Sequence, residues 1–119
     1  MVKNFLLIGL GGAAGSMLRY AVQRFTNLPG FPYGTLLVNL TGCFLIGLLW
    51  GLLSKNSISQ STGLLLMGGF CGGFTTFSAF TLEGVQMMQD SRWLLFAVYI
   101  TASVFGGLVA TFSGYKLIN

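Results

Sequence analysis

Long apolar runs broken by three short polar gaps make up this chain. The runs cover roughly residues 4–24, 33–53, 61–89 and 92–115. Each reaches the length of about 20 apolar residues that crosses the hydrocarbon core of a bilayer. The gaps hold the punctuation: Asn27-Leu28-Pro29-Gly30-Phe31-Pro32, then Ser54-Lys55-Asn56-Ser57-Ile58-Ser59-Gln60, then Asp90-Ser91-Arg92. Both prolines fall in the first gap, where they end one helix and shape a turn. The pattern predicts an all-α integral membrane protein with four transmembrane helices in a single domain over 1–119, leaving nothing for a soluble domain.

The third run departs from a plain helix. Gly68-Gly69-Phe70-Cys71-Gly72-Gly73-Phe74-Thr75-Thr76-Phe77-Ser78-Ala79-Phe80 places four glycines, two threonines and a serine inside an apolar crossing. Such a stretch is expected to break near 72–76. In hydrocarbon a freed backbone group costs several kcal/mol, so irregular backbone survives only where protein or an aqueous path surrounds it. Interrupted membrane helices are also where transporters commonly bind ions. Two chemistries remain open at such a break. Unwound carbonyls and hydroxyls can hold a small monovalent cation, and phenylalanine rings, with their positive edges, can meet a partly dehydrated anion. Phe77 and Phe80, three apart on the second half-helix, share one side of it.

Composition agrees with the membrane assignment: 54% of residues are hydrophobic and 7% charged, against about 25% charged in soluble domains. The net charge of +4 comes from six scattered residues, Lys3, Arg19, Arg24, Lys55, Arg92 and Lys116. They form no patch for nucleic acid and read as anchors at segment ends. Four crossings put Lys3, Lys55 and Lys116 on one side and Arg19, Arg24 and Arg92 on the other. Three against three gives the positive-inside rule no preferred orientation. The chain is therefore free to insert both ways and to pair with an inverted copy, although equal counts do not enforce it.

Several candidate chemistries fall away. The chain has no histidine and two acids, Glu83 and Asp90, too few for a metalloenzyme's ligand set; an enzyme is not expected. Cys43 and Cys71 lie 28 residues apart with no C-x-x-C and read as small buried thiols. Gly9-Leu10-Gly11-Gly12-Ala13-Ala14 imitates a dinucleotide fingerprint, but no acid follows before Glu83 and no strand precedes it. Gly11 and Gly15 instead make a G-x-x-x-G pair for close helix approach, repeated by Gly47 and Gly51. Lys3 before an apolar core resembles a signal peptide, yet the run continues to Arg24, favouring a retained helix.

Polar residues within the crossings are the remaining candidates. Asn39 should face protein or water, since an amide facing lipid is costly; an interhelical hydrogen bond and a functional role are both open. Thr35 lies four residues before it, on the same face as Cys43. Tyr99, Ser103 and Gly107 form a narrow stripe on the fourth crossing, either a packing seam or a lining for an aqueous gap. Arg19-Tyr20 reads as an interface pair able to concentrate anions at a pore mouth. Glu83 is an acid within the third crossing, and intramembrane acids are functional candidates by default.

With these motifs in view, the chain resembles the small fluoride channel family, also called camphor-resistance or CrcB proteins, over nearly its whole length. The resemblance rests on Gly11-Gly12-Ala13-Ala14-Gly15 through Arg19-Tyr20, on Gly34-Thr35-Leu36 through Val38-Asn39 and Gly42, and above all on Gly72-Gly73-Phe74-Thr75-Thr76-Phe77-Ser78-Ala79-Phe80. It implies an antiparallel dual-topology homodimer with two pores for passive fluoride export from the cytoplasm. It also implies a structural sodium ion held by the backbone carbonyls of Gly72 and Thr75. Phe77 and Phe80 would flank the permeating anions, with Asn39, Ser78, Thr35, Tyr99 and Ser103 completing the pore and Arg19 and Glu83 standing in its vestibules. Ala79 and Gly107 stand where family members often carry hydroxyls, which should modify conductance rather than abolish it. A small multidrug-type exporter would need an acid in the first helix, and residues 4–24 have none; a holin or scaffold subunit would need no broken helix with clustered threonine and phenylalanine.

Overall fold

The computed structural model describes residues 1–119. It is all-helical, in the order α1 (Val2–Thr26), α2 (Tyr33–Ser54), α3 (Gln60–Gly63), a π-helical stretch (Leu64–Cys71), α4 (Gly72–Phe74), α5 (Phe77–Gln89) and α6 (Trp93–Ile118). Four spans are long and apolar enough to cross a membrane: Val2–Thr26, Tyr33–Ser54, Gln60–Gln89 and Trp93–Ile118. The apolar runs thus locate the crossings to within a few residues. Two of the turns end in the same way. Asn56 and Ser91 adopt left-handed backbone with φ 57°. Beyond α2, Asn56 N–H donates to Leu53 O and Ser57 N–H to Leu52 O, and Ser91 and Arg92 repeat this onto Met88 and Met87. These paired bonds satisfy carbonyls that a helix end otherwise leaves free.

The helices associate as two pairs, α2 with α6 and α1 with the first half of the third crossing. Only 18 of the 119 residues are buried, and eleven of those are glycines. The interior is therefore built by backbone meeting backbone, as expected where lipid removes the hydrophobic drive between helices. Gly11 and Gly15 lie against the carbonyls of Leu65 and Phe70, where a Cβ would overlap. Gly47 sits likewise on Thr111 O, and Gly114 on Phe44 O. Thr111 Oγ1 donates to Cys43 O at 3.0 Å across the second pair. The outer faces carry exposed Phe5, Leu6, Leu94, Phe105 and Leu108, an apolar surface far larger than a protein in water leaves uncovered.

Candidate functional site

The third crossing loses its helix at two residues. Thr75 (φ −90°, ψ 158°) and Thr76 (φ −150°, ψ 119°) are extended. The gap is narrower than the expected 72–76, because Gly72, Gly73 and Phe74 stay helical against α1. Its ladder is replaced by side chains. Asn39 of α2 accepts from Thr76 N–H at 2.7 Å and donates to Thr76 O at 3.0 Å, acting as a one-residue strand partner. Thr76 Oγ1 accepts from Ala79 N–H at 3.1 Å and so caps α5. Thr75 Oγ1 donates to Cys71 O at 2.9 Å.

Those substitutions free particular carbonyls. The Thr76 N–H that a continuous helix would send to Gly72 goes to Asn39, and the Ala79 N–H that would reach Thr75 goes to Thr76 Oγ1. Gly73 O accepts instead from Arg19 Nε at 2.9 Å. Gly72 and Thr75 line a groove of about 400 Å³, together with Asn39, Cys43, Phe77, Phe80 and Ser103. The rings of Phe77 and Phe80 lie 5.7 Å apart, and Phe77 is 76% exposed. Ser103 Oγ is buried with no hydrogen-bond partner in the chain. A groove holding free carbonyls, an unused hydroxyl and aromatic edges can meet ions of either sign at different points along it.

Glu83 organises a second cluster. Its Oε2 accepts from Thr35 Oγ1 at 2.8 Å and Asn27 Nδ2 at 3.3 Å, and its Oε1 from the Tyr99 hydroxyl at 2.8 Å. Gln23 Nε2 donates to Thr35 Oγ1 at 3.0 Å, and Thr35 N–H to Asn27 Oδ1 at 3.1 Å. Thr35 and Tyr99 are fully buried. All three donors to the carboxylate are neutral, so it sits within hydrogen bonds rather than beside a cation. The cluster opens into a pocket of about 470 Å³ formed with Asn27–Pro32, Asp90 and Arg92, where Arg92 also donates to Gly30 O. Tyr99 joins the two regions, its ring 5.1 Å from Phe80 and tilted 61°.

The candidates from sequence thus separate. Phe77, Phe80, Asn39, Ser103, Gly72 and Thr75 meet in the groove, while Thr35, Tyr99 and Glu83 meet in the cluster. Ser78 is exposed, with its Oγ 3.3 Å from Thr76 Oγ1, and lies outside the groove lining. Arg19 is bonded to the broken helix and lines neither cavity. Gln23 and Asn27 were missed. Their spacing of four at the end of α1, with Asn27 just ahead of a proline turn, is the signal that marks them.

These features define a four-crossing integral membrane protein whose third crossing is opened on one face of the bundle. The chain belongs to the CrcB-like, camphor resistance family, whose model matches residues 6–115. It is similar to the fluoride-specific ion channel FluC of Flavobacterium psychrophilum, 44% identical over 117 residues that span 95% of this chain and 94% of that one. The protein of the same name from Chlorobaculum tepidum is 46% identical over 120 residues, 98% and 95% of the two chains. That from Leptospira interrogans serogroup Icterohaemorrhagiae serovar copenhageni is 44% identical over 121 residues, again 98% and 95%. The chain is a multi-pass protein of the cell membrane.

Proposed function

We propose that the chain is a passive fluoride-selective channel, working as an antiparallel dual-topology homodimer with two pores along the subunit interface. The groove beside the break carries this reading. It presents Phe77 and Phe80 together with a buried Ser103 hydroxyl that has no partner in its own chain, and an unpaired hydroxyl in a low-dielectric site is a ready donor to an anion. The names of the relatives point the same way. An inverted second copy would cover the exposed face and close the groove, consistent with the equal basic counts of the two sides.

A structural sodium fits the residues present. The Gly72 and Thr75 carbonyls lack their helical donors, and neutral oxygens suit a hard monovalent cation. When bound, the ion would supply charge at the dimer centre, with the two carbonyls of each copy holding it. Phe77 and Phe80 would pass the anion along ring edges, and the Glu83 cluster would stand at a pore end.

Passive export follows from chemistry. Hydrogen fluoride crosses membranes uncharged and ionises inside, so a channel lets the trapped anion leave down its electrochemical gradient. The purified chain in liposomes should release fluoride quickly and retain chloride. No fluoride release, or equal release of both, overturns the proposal.

A further inference from the structure

The break leaves the carbonyls of Gly72, Gly73 and Thr75 without helical donors, and the chain treats them differently. Gly72 and Thr75 line the groove, whereas Gly73 turns to α1. There the backbones nearly touch. A Cβ on residue 73 would overlap Gly12 O and come within 2.9 Å of Ser16 Oγ. Gly12, Ser16 and Arg19 follow one another along one face of α1. The seam that docks Gly12 on Gly73 therefore also delivers Arg19, whose Nε–H donates to Gly73 O at 2.9 Å.

We propose that Arg19 is a positioning residue: a cap, reaching across from α1, that fixes the Gly73 peptide and so holds the Gly72 and Thr75 carbonyls toward the groove. The end of the first half-helix carries partial negative charge, which a guanidinium complements. A hydrogen bond from a charged donor is about twice as strong as a neutral one. Collecting anions at a pore mouth would need only the charge. Capping needs a donor at the place of Nε.

Two substitutions separate these roles, because the amide nitrogen of glutamine occupies the same position along the side chain as Nε, whereas methionine offers no donor there. For Arg19→Gln, a neutral donor at the same place, the thermal midpoint of the purified protein should fall by about half as much as for Met or less, and fluoride efflux should stay within about twofold of wild type. Arg19→Met should lower the midpoint by several degrees and slow efflux about tenfold, equally at low and high ionic strength. If Gln and Met slow efflux alike at low salt, recover at high salt and leave the midpoint unchanged, Arg19 acts by charge and the cap is wrong. Failure of Gln to fold alongside Met also overturns it, while folding of Gln alone supports it. Only the efflux arm rests on the channel reading: a wild type without fluoride flux would sink that reading and leave the two midpoints to judge the cap.

Discussion

The α2–α6 pair and the third crossing solve the same problem in opposite ways. In the pair, two unbroken helices satisfy their own backbone and approach through Gly47 and Gly114 until each meets the other's carbonyls. Among buried side-chain polar atoms only Ser103 Oγ is left without a partner, and Ser103 lines the groove. The third crossing instead gives up its ladder at Thr75 and Thr76 and borrows partners from α1 and α2, through Arg19 and Asn39. The lesson is that an opened helix in hydrocarbon is affordable only beside a closed one. The continuous pair supplies the fixed frame from which α2 holds Asn39 in place.

The comparison breaks most completely at Asn39. Asn39→Leu strands both the N–H and the C=O of Thr76, each unpaired group costing about 1–3 kcal/mol. Thermal denaturation should show the largest loss of any single change here, with fluoride efflux abolished. Gly114→Val attacks the frame: its Cβ would overlap Phe44 O and sit 2.8 Å from Leu48 N. Backbone cannot rotate away, so the cost should reach the upper part of the usual overpacking range of about 1–3 kcal/mol. Surviving protein should keep its preference for fluoride over chloride, because the groove is untouched. Tyr99→Phe removes one hydrogen bond to Glu83 while keeping the ring against Phe80, and should cost about 1 kcal/mol in denaturation with efflux reduced severalfold. Ser103→Ala sharpens the contrast furthest. Its hydroxyl has no partner in the chain, so stability should hold while efflux falls by about threefold or more.

Much of this was legible in the residues. Apolar length locates the four crossings, and the glycines with Thr75-Thr76 locate the break to within 72–76, a range the structure narrows to Thr75 and Thr76, because both signals are local chemistry. The π-helical winding of Leu64–Cys71 was not legible; the segment packs on Gly11 and Gly15 of α1, partners far away in the chain. Asn39 reads as an amide needing a partner, but its pairing with Thr76 across 37 residues has no local signature. Arg19 illustrates the remainder. The sequence places it at an interface able to collect anions, and its bond to the Gly73 carbonyl, beside the Gly12–Gly73 contact, has no local signature. Polar residues were thus found by their cost in hydrocarbon, while their partners were set by packing.

The most direct test of the central claim, that the aromatic groove beside the break carries the ion, is fluoride efflux from liposomes with Phe80→Ile beside wild type. Ring removal should stop fluoride release while the variant still purifies folded with an unchanged oligomeric state. Undiminished, fluoride-selective efflux from folded Phe80→Ile would contradict the account.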